Sequence, residues 1–468
     1  MPRFHKPASR SSSSSIRSQD EKEGFRANSF VLAQREASIL VGLLWCMALV
    51  AVVVVGVLHT GRLHLMIGKN YSDKIQAHYL ALAGVEKAKA LLYQDAIERR
   101  GSGQNHTGQL YDSPQDFKEI ALGRGKFNII RQARADEAGG IVFGIADEES
   151  RLNINQATSE ELTKINGLTP DIIAAIVDWK DEDNTVSPGG AEAEYYMSLR
   201  PPYVPRNSSF LSVGELLMVR GMSPELLLGV DTTQNGGSMS GNESGSSRST
   251  SLEPGLWDNF TVSGWVQNVN AQGESRINIQ TADETTLISV NGITREIARA
   301  IVSYRGQTKL ENIADLLEVK ATPNQPRGRT GNAANASGPT VINQELFLQI
   351  VDSLSAETVS EQPGLININT ASAQVLSWLP GITPELAQAV VSFRSSDGFF
   401  SNIGSLLKVP GVSREIFKQV ARRISVRSET FRIISEGTLP SSGVRKRLEV
   451  VVHVGSRDVN TLAYKEDL

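Results

Sequence analysis

LNINQATSEELTKINGLTPDIIAAIVDWK (152–180) recurs without a gap as INIQTADETTLISVNGITREIARAIVSYR (277–305) and as ININTASAQVLSWLPGITPELAQAVVSFR (366–394). Leu162, Leu287 and Leu376 match across the copies, as do Gly167, Gly292 and Gly381 and the aromatics Trp179, Tyr304 and Phe393. Self-similarity of this kind marks a supersecondary unit that buries its apolar side only against its neighbours. In the second half of each copy the apolar positions fall at i, i+3, i+4 and i+7, as at Ile172, Ala175, Ile176 and Trp179. That spacing predicts a helix with a core-facing stripe, and it makes the aromatic a core residue rather than a platform for a ligand.

Each unit therefore reads as a helix, a tight turn at glycine and a second helix. Thr158, Asp283 and Ser372 are good N-cap residues for the first helix, and Thr158 with Glu161 has capping-box spacing. A related hairpin follows each time: VGELLMVRGMSPELL from Val213, IADLLEVK from Ile313, and IGSLLKVPGVSREIF from Ile403. The turn glycines are Gly167, Gly221, Gly292, Gly381 and Gly411, while the middle copy replaces one of its turns with a Pro, Asn and Gly-rich loop from Ala321 to Pro339. This is the helix-hairpin-helix pattern, whose DNA-binding forms offer main-chain N–H groups to a phosphate at the start of the second helix. Here Thr169, Thr294, Thr383, Ser223 and Ser413 stand at those starts as N-caps. Pro170, Pro384 and Pro224 follow without an N–H, and Asp171, Glu225, Glu296, Glu385 and Glu415 place negative charge where a phosphate would sit. Such turns close on themselves, and a nucleic-acid partner is not expected.

Outside the repeats, Phe127 and Ile129, then Ile141, Phe143 and Ile145, alternate as strands do, with Gly139-Gly140 in a turn between them. The matching pieces lie at the other end, where Phe431, Ile433 and then Leu448, Val450, Val452 and Val454 alternate with polar residues. An antiparallel sheet joining these segments makes everything between about Arg151 and Val426 an insertion. Upstream, ILVGLLWCMALVAVVVVGVL (39–58) has neither charge nor proline and matches the ~30 Å hydrocarbon core that a spanning helix crosses at ~1.5 Å per residue. Helical periodicity continues through Leu63, Ile67, Ile75, Tyr79, Leu82, Val85 and Leu92, which predicts one helix over 37–97. The leader, 1–36, reads as disordered, and its Arg3, Lys6, Arg10, Arg17, Lys22, Arg26 and Arg35 put it in the cytoplasm by the positive-inside bias.

Composition narrows the function classes. A net charge of −4 gives no electrostatic case for nucleic acid, and the single cysteine, Cys46, lies in the apolar stretch, so there is neither a disulfide framework nor a thiolate metal site. No HExxH, GxSxG or P-loop occurs, and no enzymatic activity is expected. One constellation goes beyond packing: Asp178, Asp181, Glu182, Asp183, Glu192 and Glu194 crowd a loop with Gly189-Gly190 and a single balancing base, Lys180. Folding it brings like charges together unless a cation intervenes, and the all-oxygen donor set favours Ca²⁺ over Zn²⁺. From spacing alone, a solvated acidic loop and a cation site are equally good readings.

At this point the residues resemble a known family. The apolar span followed by QAHYLALAGVE (76–86) looks like the N-terminal helix of type IV pilin-like proteins. DWKDEDNTVSPGGAEAEYY (178–196), PPYVPRNSSFLSVGELLMVRG (201–221), the ININ repeat and the FRIISEG ending (431–437) are similar to the K-class minor pseudopilins of type II secretion, general secretion pathway protein K. The resemblance implies an α+β fold: a transmembrane helix continuing as a pilin-like helix on an antiparallel sheet, with an inserted all-α domain of helix-hairpin-helix, SAM-like repeats. It implies the boundaries 1–36, 37–97, 98–150, 151–232, a Gly/Ser linker at 233–255, 256–354, 363–426 and 427–460. It implies a non-enzymatic subunit at the pseudopilus tip, anchored once in the inner membrane with the bulk periplasmic, bound to I- and J-class minor pseudopilins and the inner-membrane platform. It carries calcium binding to Asp178, Asp181, Asp183, Glu192 and Glu194. A membrane-anchored DNA receptor of the competence type is the alternative; it shares the hairpins but gives no reason for the acidic loop. There are departures from the family. Glu36-Ala37 stands where a glycine precedes the prepilin-peptidase cut, and no acidic residue occurs between Ala37 and His64, so a chain beginning at Ala37 has Val41 as its fifth residue where pilins have glutamate. The middle repeat and the Gly/Ser linker are additions to the usual plan.

Overall fold

The structure, a computed structural model, describes residues 20–106, 108–134, 137, 139–230, 253–321 and 339–466. It divides into two units, Met1–Asp73 and Lys74–Leu468. In the first unit, helix α1 (Asp20–Ser102) has begun by Asp20, and every residue from Ile39 to Leu58 is exposed. This part of the helix is long and apolar enough to cross a membrane. The expected disordered leader is corrected in part: residues 1–19 lie outside the described residues, but 20–36 are helical. That stretch contains no proline and a single glycine, Gly24, so nothing in it breaks a helix. α1 also runs past the expected stop at Arg99-Arg100-Gly101 and ends at Ser102, where Gly103 takes φ 67° and Gln104 N–H closes on Arg99 O at 2.9 Å.

In the second unit the sheet order is β1 (Ile120–Leu122), β2 (Gly125–Gln132), β5 (Thr430–Leu439), β6 (Val444–Val454) and β7 (Val459–Glu466), antiparallel throughout. β5 and β6 hold Ile433 opposite Val450, and β5 holds Gly437 opposite Phe127 of β2. The expected hairpin forms only at its base. β3 (Ile141–Val142) pairs with the end of β2, then the chain crosses to β5, where β4 (Ala146–Asp147) sets Asp147 opposite Phe431. Phe143 and Ile145 are therefore outside the strands. β7 was not expected, because the alternation of apolar residues stops at Val454: apart from the half-buried Val459 its residues are exposed. The insertion leaves the sheet at β4 and returns at β5, as expected.

The α1 residues Ala81, Val85, Ala88, Leu92 and Ala96 share one core with Phe127, Ile129, Ile433, Leu448, Val450 and Val452. Helix and sheet meet almost backbone to backbone. A Cβ on Gly437 would lie 2.1 Å from Ala77 O, and one on Gly84 would lie 2.2 Å from Ser435 Oγ, so each position has room only for hydrogen.

The modules share a second, continuous core. The capping box at Thr158 and Glu161 forms, Asp283 and Ser372 cap their helices, and Gly167, Gly221, Gly292, Gly381 and Gly411 all turn at positive φ, between 72° and 100°. The leading helix of each second hairpin is a six-residue 3₁₀ helix (Val213–Met218, Ile313–Glu318, Ile403–Lys408) rather than an α-helix. Trp179 is fully buried as expected, but Tyr304 and Phe393 are only half-buried against the core. Each ININ-type segment pairs in parallel with the two residues that end its module: Leu152–Asn153 with Phe260–Thr261, Ile277–Asn278 with Leu354–Ser355, and Ile366–Asn367 with Ile424–Ser425, so that residues 256–261 belong to the first module and not, as expected, to the second. The repeated asparagine thus clasps its own unit. Asn155 Nδ2 donates to Phe210 O and Asn369 Nδ2 to Phe400 O, each at 3.0 Å, and Gln280 Nε2 reaches Leu310 O at 2.9 Å. Most of the Gly/Ser linker (231–252) and of the middle loop (322–338) lies outside the described residues. Their ends meet: Val230 pairs with Glu253, and Lys320 with Thr340.

Candidate metal centre in the first module

Helix Pro170–Lys180 is capped by Thr169 and started by Pro170, and its buried stripe of Ile172, Ile173, Ala175, Ile176 and Trp179 fixes its rotation. That rotation carries Asp178 inward, where it is fully buried. In the other modules the same position is Ser303 or Ser392, and the position of Asp181 is Gly306 or Ser395. The carboxylates are thus additions to the repeat and not part of what folds it.

The segment that follows spans 181–209 here, against 306–309 and 397–399 in the other modules, and it brings Glu192 back over the helix end. Asp178, Asp181 and Glu192 each offer an oxygen within 4.8 Å of the other two. Ser187 N–H donates to the Asp178 carboxylate at 3.2 and 3.3 Å, and Gly190 N–H closes the turn on Ser187 O at 2.8 Å. A Cβ on Gly190 would lie 2.0 Å from Asp178 Oδ2, so only glycine lets the loop pass this close. Asp181 Oδ1, Glu192 Oε1 and Asn207 Oδ1 are buried and accept no hydrogen bond. Buried acceptors without donors are costly, and here three of them are oxygens of one loop. Burial, followed by the charges of Asp183 and Asp178, pushes the Asp181 carboxyl up; burial, followed by Asp181 and Asp178, does the same to Glu192. Three carboxylates, the carboxamide oxygen of Asn207 and no His or Cys make a hard-oxygen donor set that fits a calcium-like cation.

The sequence reading of this loop needs several corrections. Asp183 and Glu194 are exposed and lie outside the group; Asp183 Oδ1 instead accepts from Thr185 N–H at 2.6 Å. Lys180 does not balance the acids. Its Nζ donates to Ile154 O at 3.3 Å and Ala157 O at 2.9 Å, the role that Arg394 plays toward Ile368 O and Ala371 O. Both stand at the same repeat position near the end of their helix, so this cation serves the scaffold. The base beside the loop is Arg220, which donates to Gly190 O at 2.8 Å and lies over the Tyr195 ring. Asn207 was missed. It takes φ 45°, a conformation asparagine tolerates, and nothing in PRNSS distinguishes it without the fold. Glu36 and Ala37, singled out for cleavage, fall within α1.

The loop and the sheet strand before it carry a family signature: residues 125–231 match the model of "Type II secretion system (T2SS), protein K". This stretch of the chain is similar to protein K of type II secretion. Residues 272–323 and 362–425 match the helix-hairpin-helix motif, so the K domain is followed by two further stretches of the repeat. The chain is 29% identical over 165 residues to Type II secretion system protein K of Klebsiella pneumoniae, covering 33% of this chain and 48% of that one. It is also 29% identical over 161 residues to Endonuclease/exonuclease/phosphatase family domain-containing protein 1 of Rattus norvegicus, covering 32% of this chain and 28% of that protein. The chain thus spans less than half the length of either relative. Among solved structures it is similar to a chain of "The Crystal Structure of the GspK-GspI-GspJ complex from enterotoxigenic Escherichia coli Type 2 Secretion System", with a TM-score of 0.44 and 12% identity over 86% of this chain and 99% of that one.

Proposed function

We propose that this protein is a minor pseudopilin of type II secretion, a non-enzymatic subunit that caps the periplasmic pseudopilus and helps to start its assembly. The observation that carries the reading is the K domain over 125–231, set in a chain whose two ends build one sheet around α1 and whose apolar stretch is long enough to span a bilayer. In this reading the span crosses the inner membrane once, the N-terminus is cytoplasmic, and the partners are I- and J-class minor pseudopilins and the inner-membrane platform. The lack of any acidic residue between Ala37 and His64 suits a capping subunit. A carboxylate in the bilayer needs a partner, and a subunit with no neighbour above it has none to offer. The test is to co-express the full chain with the I- and J-class subunits of the same organism and purify it from detergent. Co-purification of all three is expected. Recovery of the chain alone, or normal secretion after deletion of its gene, would overturn the reading. We propose further that Asp178, Asp181 and Glu192, with Asn207, hold Ca²⁺, supported by their donorless buried oxygens. Calcium should then raise the melting temperature relative to chelator, since a ligand of the folded state alone adds RT ln(1 + [L]/Kd).

A further inference from the structure

The second and third modules (277–355 and 366–425, modules 2 and 3) bind each other by a local two-fold relation that the first (152–261, module 1) lacks. Asn312 Nδ2 donates to Lys418 O at 2.6 Å, and its counterpart in the other module, Asn402 Nδ2, donates to Leu348 O at 2.8 Å. Phe347 and Phe417, also counterparts, meet edge to face at 5.7 Å. Equivalent residues making equivalent contacts in both directions are the mark of an isologous interface. Each 3₁₀ helix thus lies on the last helix of the other module, and this contact buries Leu317 to 3% and closes over Gly404.

With three modules, one is left over. The same face of module 1, where Trp257 lies beside Gly214, is covered only in part: Leu217, counterpart of Leu317, is 39% exposed, Met218 is 40% and Leu228 is 56%. The residues at the meeting positions say what would cover it. Lys418 reaches Asp315 at 2.6 Å and Glu318 at 2.9 Å across the two-fold. The module 1 counterparts of Lys418, Glu318 and Asp315 are Leu228, Met218 and Glu215. Glu215 is already held by Arg206 at 3.1 Å, so it asks for no lysine, and the remaining pair is apolar on both sides. A module 1 face set against another by the same two-fold puts Leu228 of each copy on Met218 of the other, with no charge left unpaired.

We propose that module 1 pairs with module 1 of a second copy of this chain through this face. The test uses full-length protein in a Cys46→Ser background, as two differently tagged versions, one carrying Met218→Cys and the other Leu228→Cys, co-expressed and mildly oxidised in membranes. Mixed disulfide dimers should exceed either self-pair several-fold, because the two-fold brings position 218 of one copy to position 228 of the other. Leu217→Glu in both versions should abolish the mixed dimer while leaving the melting temperature unchanged. No cross-link, equal yields of all three dimers, or a mixed dimer indifferent to Leu217→Glu would overturn the proposal; the last two are what association through the membrane helix alone would give. A cross-link that appears only after deletion of 234–251 would also overturn it, by showing that a segment of the same chain covers the face.

Discussion

Two groups of acids, one deep in the protein and one in a loop near its surface, both hide carboxylate oxygens from solvent and are treated in opposite ways. Asp147, Glu148 and Glu149, where the sheet hands over to the modules, are 3%, 1% and 2% exposed, and Asp178 and Glu192 of the loop are 0% and 2%. At the seam every carboxylate has donors. Asp147 Oδ2 accepts from Ser428 Oγ at 2.6 Å, from Asn367 Nδ2 and Tyr111 OH at 3.2 Å, and from Thr370 Oγ1, while Glu149 accepts from Thr430 N–H at 3.2 Å. Glu148 takes Arg432 Nε at 2.6 Å and Thr261 Oγ1, with Arg151 at 3.9 Å. In the loop, by contrast, Asp181 Oδ1 and Glu192 Oε1 have no donor at all. Burial alone therefore does not mark a binding site. A buried acid with its donors present is part of the frame; one without them is waiting for a positive partner.

The sharpest break in that comparison is expected at the seam. Glu148→Ala leaves Arg432 and Arg151 buried with their main countercharge gone, and removing one partner of a buried pair costs about 3–5 kcal/mol. Chemical denaturation of the variant should show this loss equally in calcium and in chelator. A loss that calcium restores would mean that the seam also binds the ion.

The next largest effects belong to the loop and should depend on the ion. Asp181→Ala with Glu192→Ala should remove the calcium-induced rise in stability, about 2.7 kcal/mol at a hundredfold excess of calcium over Kd, and should cost nothing in chelator. Asp183→Ala with Glu194→Ala should keep the rise, because neither residue belongs to the oxygen cluster. Titration calorimetry distinguishes the two pairs, and equal losses from both would return the site to a diffuse acidic loop. Gly190→Ala, whose Cβ would lie 2.0 Å from Asp178 Oδ2, should cost about 1–3 kcal/mol and weaken calcium binding without removing any ligand.

The repeats were legible in the sequence because each rests on local rules: Thr158 at a capping box, Gly167 and its counterparts at positive φ, apolar residues at helical spacing. The sheet was half legible. β5 and β6 alternate clearly, but β7 is an exposed edge whose residues obey no burial pattern. At the candidate site, composition pointed to the loop but could not choose among its acids. That choice depends on which side of helix Pro170–Lys180 faces the core and on where Glu192 returns, both set by tertiary packing. Lys180 shows the limit well: with four acids within three residues of it, it nonetheless spends its charge on the carbonyls of Ile154 and Ala157. The seam acids DEE (147–149) drew no attention, since most of their donors come from residues some 220–280 positions away, such as Thr370 and Ser428.

The smallest effect is one of slope, and it separates the loop pair from Glu148 of the seam by sign. Asp181 and Glu192 are pushed up by burial and by each other's neighbourhood, so in the absence of a cation the folded state holds protons there more tightly than the unfolded chain does. Their contribution is then fully present below about pH 4, the unfolded carboxylate range, and is lost as pH rises through the raised values. Taking the stability of the wild type minus that of Asp181→Asn with Glu192→Gln isolates these two groups, because every other titration cancels. In chelator this difference should fall with rising pH, by at most ~1.4 kcal/mol per unit for each group. In calcium it should rise, since the ion binds only the deprotonated carboxylates and competes with protons for them. Glu148 behaves in the opposite way and ignores the ion. Burial alone would raise it, but Arg432 and Arg151 hold it down at about 2, so its contribution is present above about pH 4.5 and is lost as pH falls toward 2, in calcium and chelator alike. Denaturation curves taken from pH 3 to 8 under both conditions carry the test. If the difference for the loop pair has the same slope with and without calcium, its carboxylates are no more a cation site than those of the seam.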